Sequence, residues 1–80
     1  MSLRLKGKII EVHSHEIILE ITKVTQKQIL FKYISNRDGY CQHNRTKLKY
    51  YCPKDWFNTN LESNNITIYN STEERKAKLL

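Results

Sequence analysis

Apolar residues recur at every second position in most segments of this chain, and that spacing constrains its fold more than any other feature. Leu3, Leu5, Gly7 and Ile9 alternate with Arg4, Lys6 and Lys8 over residues 3–12. Ile17, Leu19 and Ile21 alternate with Glu16 and Glu20 in the same way. Ile29, Phe31 and Tyr33 share one parity while Leu30, Lys32 and Ile34 share the other. Lys47-Leu48-Lys49-Tyr50-Tyr51-Cys52 alternates again, and Ile66-Thr67-Ile68-Tyr69 is a last β-branched run. Side chains two positions apart lie on one face of a strand, so this period, rich in β-branched residues, predicts five strands.

Turn and cap chemistry separates the strands. His13-Ser14-His15 connects the first two, and Asn36-Arg37-Asp38-Gly39 reads as a tight turn because Asp-Gly tolerates positive φ. Tyr40 to Thr46 is a polar stretch. Pro53 at a first helical position, with Asp55 in the first turn, predicts a short helix over 53–59. Asn64-Asn65 turns the chain into the fifth strand. Ser71 with Glu74 three residues on forms a capping box for a closing helix over 72–79. Glu73 and Glu74 near its start and Arg75, Lys76 and Lys78 near its end suit the helix dipole.

Five strands, a helical turn before the last and a C-terminal helix predict a mainly β domain: a small five-stranded OB- or Sm-like barrel. A helical turn between strands four and five fits the Sm-like order better. The alternative is a three-stranded antiparallel sheet with helices on one face. With 80 residues, two glycines and one proline, the chain has room for one domain and no linker within 1–80. Its longest apolar runs, Ile17-Ile18-Leu19 and Ile29-Leu30-Phe31, are far too short to span a bilayer. The first eight residues lack the apolar stretch of a secretory signal. Two cysteines are too few to staple a secreted scaffold, so free thiols in a reducing cytoplasm are expected.

The net charge of +6 is unevenly spread. Residues 23–54 hold eight basic residues and one acid, Asp38, whereas residues 55–74 hold four acids and no basic residue. Seven of the eight aromatics fall between 31 and 57. Cations that follow phosphates, interleaved with rings on which bases stack, are what a single-stranded nucleic acid requires. Lys47, Lys49 and Tyr51 are expected to share an outward face, with Leu48, Tyr50 and Cys52 inward. Arg37, Arg45, Lys47, Lys49 and Lys54 are the candidate phosphate contacts, and Tyr40 and Tyr51 the candidate stacking rings. The competing reading makes the basic block a solvated face and puts Phe31, Trp56 and Phe57 in the core.

Other chemistry finds less footing. His13, His15, Cys41, His43 and Cys52 are zinc-type ligands, but the paired C-x₂₋₄-C spacing of structural sites is absent. No metal and no cofactor is expected. Cys41-Gln42-His43 sets a base two residues from a thiol with no orienting third group, and no Gly-rich phosphate loop occurs. A non-enzymatic protein is expected.

Gln28-Ile29-Leu30-Phe31-Lys32, the run Lys49-Tyr50-Tyr51-Cys52-Pro53-Lys54-Asp55-Trp56, and Ile66-Thr67-Ile68-Tyr69 with a basic helix after it together resemble short barrel modules of Gram-positive phages, plasmids and cassette elements. The likeness extends to the small partner subunit of the primase-polymerase of the staphylococcal chromosome cassette. The resemblance to the barrel modules covers about residues 27–80 and rests on an apolar-Pro-Lys-x-aromatic step; the polar insertion Asn36–Thr46 departs from it. The wealth of Lys, Asn and Ile is compatible with an AT-rich genome. The resemblance implies a replication or priming accessory without an active site. The partner class is then single-stranded nucleic acid. A second expectation is a protein-binding module, either a polymerase or helicase subunit or an inhibitor of a host enzyme. Its surface would be Trp56, Phe57, Leu79 and Leu80, in a monomer or a hetero-complex subunit.

Overall fold

The computed structural model describes residues 4–79, with only the backbone of Leu79. Leu3 and Leu80 therefore lie outside the described residues. In chain order the elements are β1 (Ile9–Val12), β2 (Ile17–Val24), β3 (Gln28–Asn36), a 3₁₀ turn (His43–Lys47), β4 (Tyr50–Pro53), α1 (Lys54–Glu62), β5 (Ile66–Tyr69) and α2 (Thr72–Leu79). One five-stranded sheet runs in the order β4-β3-β2-β1-β5 with every neighbouring pair antiparallel. The first four strands are a meander, and β5 returns to the far side of β1. Among the described residues β4 and β5 do not pair, so the sheet is open and a closed barrel is not formed.

β1 lies between β2 and β5, and all four of its residues are buried. Its period-two geometry sends Ile10 and Val12 to one face and Ile9 and Glu11 to the other. Ile10 and Val12 join Leu19, Ile21, Ile29, Phe31, Tyr33, Cys52 and Ile66 in the main core, which Phe57 of α1 completes. The Phe31 and Phe57 rings stack with centroids 6.5 Å apart. On the opposite face Ile9, Ile18 and Tyr69 form a smaller cluster with Ile34. α2 lies on this side, its Lys78 ammonium 5.6 Å from the centre of the Tyr69 ring. The two helices therefore cover opposite faces. Ile18 is buried on the second of them, so the first three residues of β2 are buried on both faces, whereas its end at Thr22–Val24 is exposed.

Two register shifts interrupt the β2–β3 ladder, at Ile18/Leu19 and at Ile21/Lys23. Such bulges bend and twist a sheet. Beyond the second shift, β2 leaves β1 behind and pairs with β3 alone.

Several boundaries differ from the expected ones. Among the described residues the alternation expected over 3–12 yields a strand only from Ile9, because Gly7 turns the chain with φ +88° and Lys8 N–H donates back to the Leu5 carbonyl at 3.0 Å. The expected strand over 47–52 begins at Tyr50, since residues 43–47 wind into the 3₁₀ turn. Leu48, expected inward, is 58% exposed. α1 is longer than expected, running three residues past 59, and Pro53 is its N-cap rather than its first residue. The turn at 36–39 forms as expected: Gly39 sits at φ +96° and its N–H meets the Asn36 carbonyl at 3.0 Å. The α2 cap forms too, with Glu74 N–H donating to Ser71 Oγ at 3.1 Å.

Candidate functional site

The short β4 positions the most exposed ring of the core region. Tyr50 and Cys52 point inward, Tyr50 lying 6.2 Å from Tyr33 and Cys52 joining the core. Tyr51 between them must face the other way, and it is 66% exposed. β4 is an edge strand, so the ring stands where two clefts approach from either side.

On the α1 side lies an apolar groove of about 390 Å³. Val12, Leu19, Phe31 and Cys52 contribute its apolar wall, with Tyr51, Pro53, Trp56 and His15 also lining it. On the other side is a second cleft of about 390 Å³, lined by Lys49, Gln28, Thr22 and Leu30, and sharing Phe31, Tyr50 and Tyr51 with the groove. A third, polar cleft of about 380 Å³ holds Arg37, Arg45, Asn36, Gln42, Glu16 and Asp38, and shares His15 with the groove. The three are thus joined through shared walls.

The charges in these clefts are unequally available. Arg37 faces Glu16 at 3.5 Å, whereas Arg45, Lys47, Lys49 and Lys54 form no ion pair among the described residues. The Arg45 guanidinium lies 5.9 Å from the centre of the Tyr33 ring. Tyr33 is itself fixed, its hydroxyl donating to Asn36 Oδ1 at 2.7 Å and accepting from Gln42 N–H at 3.2 Å. A buried aromatic face thus orients this cation.

The structure brings some of the expected contacts together and separates others. Lys49 and Tyr51 share one cleft, while Arg37 and Arg45 share the polar one. Lys47 ends the 3₁₀ turn, so it does not share a strand face with Lys49 and Tyr51 as expected. Tyr40 is 64% exposed in the loop after the 36–39 turn and lines none of the three clefts. Lys54 is the first residue of α1, next to Pro53 on the groove wall. Phe57, expected in a protein-binding surface, is only 2% exposed and belongs to the core. Trp56 is 37% exposed, which departs from its expected place in the core and leaves its ring at the groove. Of Leu79 and Leu80, the remaining candidates for that surface, neither side chain is among those described.

The metal candidates are dispersed. No group of three or more His, Cys, Asp and Glu residues fit to hold a metal ion occurs among the described residues. His13 belongs to the α2 face and Cys52 to the main core on the other. Burial pushes the Cys52 thiol up to about 11, so it stays protonated at neutral pH and is a packing group rather than a nucleophile.

One polar cluster was not visible in the sequence. Glu11 is 4% exposed on β1 and is held from both sides. Arg75 Nε donates to its Oε1 at 2.9 Å, and His13 Nδ1 approaches its Oε2 at 3.2 Å. His13 Nε2 meets Thr67 Oγ1 at 2.8 Å, and Arg75 Nη2 also donates to the Arg37 carbonyl at 3.1 Å. Arg75 reads as a dipole-stabilising residue in sequence, yet it turns inward and fixes α2 to the sheet. His15, which in sequence is a residue of the β1–β2 connection and a metal-type ligand, is the residue shared by the apolar groove and the polar cleft.

Comparison with protein-family models, with curated proteins and with solved structures gave no match to this chain. No helix among the described residues is long and apolar enough to cross a membrane.

Proposed function

We propose that this chain is a non-catalytic protein that binds single-stranded nucleic acid, acting as a replication or priming accessory of a mobile element or phage. The observation that carries the reading is Tyr51: a largely exposed ring on an edge strand, with an apolar groove on one side and a cleft containing the unpaired Lys49 on the other. A ring open to stacking beside a cation free to meet a phosphate is the minimal unit of sequence-tolerant strand binding. In this reading the bent sheet is an incompletely closed Sm-like barrel. The helix between β4 and β5 and the return of β5 beside β1 support that view. The resemblance to Gram-positive mobile-element modules supports the biological setting.

Fluorescence anisotropy with labelled oligo-dT and a matching duplex, at low and moderate salt, tests the proposal. Salt-sensitive binding that favours the single strand is expected, and Tyr51→Ala weakens it roughly fivefold to a hundredfold, the loss of one stacked base. A folded Tyr51→Ala variant that binds like the parent refutes the assignment.

A second reading, a protein-binding module serving a polymerase or helicase, is favoured by one specific feature. The outer edge of β4 carries unpaired backbone groups beside the apolar groove, which suits strand addition by a partner.

A further inference from the structure

The three clefts differ in chemistry in an order that suits a strand crossing them. The central groove is apolar and rimmed by Tyr51 and Trp56. The clefts at its two ends hold the polar groups: Lys49 with Gln28 and Thr22 at one, Arg45 and Arg37 with Asn36 and Gln42 at the other. Shared residues make the surface continuous, Tyr50 and Tyr51 at the first junction and His15 at the second. A nucleic-acid strand has the same alternation, charged phosphates flanking a flat base of low charge. Resting on the single-strand reading above, we propose that one nucleotide inserts its base into the central groove between Tyr51 and Trp56. The phosphate on one side lies at Lys49 and the phosphate on the other passes His15 to Arg45.

Two details of the polar cleft sharpen this. Arg45 is the cation available there, because it has no carboxylate partner among the described residues and lies over the Tyr33 ring. Arg37 is partly neutralised by Glu16 at 3.5 Å. Asp38 also lines the cleft, so the polar end of the path is selective for a phosphate that reaches Arg45 rather than broadly attractive to anions. Glu16 itself sits at φ +54°, a left-handed conformation that asparagine tolerates well. Glu16→Asn therefore removes the competing charge without straining the turn.

The experiment measures the slope of log affinity against log salt for an oligo-dT of about ten nucleotides, a length within the range small barrels cover. Lys49→Gln and Arg45→Gln are each expected to lower the slope by about 0.7, the value of one single-strand phosphate contact. Lys76→Gln, at an exposed position on α2, leaves it unchanged. Glu16→Asn is expected to tighten binding and steepen the slope, a gain that loss of folding cannot imitate should Arg45→Gln prove unstable. An effect at Lys49 with none at Arg45 or Glu16 overturns the path while leaving single-strand binding in place. Equal losses at Lys49, Arg45 and Lys76 overturn it as well, since they show diffuse attraction. No binding of oligo-dT by the parent protein refutes the functional reading itself.

Discussion

Replacing Arg75 by methionine isolates the bond that fixes α2 to the sheet. The substitution keeps an unbranched side chain of comparable reach and removes the guanidinium from a carboxylate that is 4% exposed. Breaking a buried ion pair costs about 3–5 kcal/mol, because the remaining charge is left without its partner. The lower end applies here, since the other Glu11 oxygen retains His13 at 3.2 Å. A loss of about 3 kcal/mol is large against the roughly 4–12 kcal/mol expected of a domain this size. With a urea m-value of about 1 kcal/mol/M, the midpoint falls by about 3 M. The double variant Glu11→Leu, Arg75→Met places leucine beside Ile9, Ile18 and Tyr69, and removes both charges together. It recovers all but about 1–2 kcal/mol, the remainder being the lost bond to the Arg37 carbonyl and the lost contact of His13 with Glu11. Urea unfolding followed by far-ultraviolet circular dichroism measures both variants. If Arg75→Met lies within about 1 kcal/mol of the parent, or the double variant is no more stable than the single one, the buried-charge argument is wrong.

Adjacent aromatics on α1 separate stability from binding. Phe57→Ala loses about 3–5 kcal/mol and leaves little folded protein, whereas Trp56→Ala, at a ring that is 37% exposed, lowers the thermal midpoint less and loses oligo-dT affinity. Iodoacetamide labelling followed by mass spectrometry at pH 8 is expected to modify the half-buried Cys41 and spare Cys52, whose thiolate requires pH near 11 or unfolding. The hydrogen bond from the Asn70 backbone N–H, with further help from Lys78, holds the Glu74 carboxyl below its ordinary value of 4.5. A carboxylate so depressed stabilises the fold above its ordinary value, and that contribution fades as pH falls through the lower, folded one. Amide protection factors in α2, taken relative to the intrinsic rate at each pH, should therefore fall below pH 4.5 before those of β1 do.

Much of the fold was legible because period two is a direct image of strand geometry. Ile29, Phe31 and Tyr33 are buried together as the spacing required, and Gly39 and Ser71–Glu74 took their expected turn and cap. The first strand is shorter than its parity suggests, because Leu5 continues the alternation while Gly7 breaks the backbone without breaking the pattern. Leu48 misled for a related reason: parity assumes an extended chain, and the 3₁₀ turn before it resets the phase. Trp56 and Phe57 are neighbours on a helix, where consecutive residues diverge by about 100°, so the two need not be equally buried, and here Phe57 enters the core while Trp56 stands at its edge. Which of them enters is settled by Phe31 across the interface, a contact that no local spacing encodes. The Glu11–Arg75 pair was invisible for the same reason, joining residues 64 apart through the β1–β5 return. The polar cleft at Arg37 and Arg45 likewise depends on tertiary placement, since His15 and Glu16 reach it from another turn.

That return has a consequence for how the chain is made. During synthesis Glu11 leaves the ribosome ahead of β2 to β4, which can assemble against one another as they emerge. β1 nevertheless gains its second neighbour only when β5 has appeared, and its carboxylate gains Arg75 only after that. Until then a nascent meander exposes a β1 edge and an apolar strip with no helix over it, the kind of surface that invites mispairing with another chain. The segment that ends the fold is thus also its lock. A message cut short after β5 would release the sheet with Glu11 held by His13 alone, and quality control would meet that fragment as an unfinished product despite its complete set of strands.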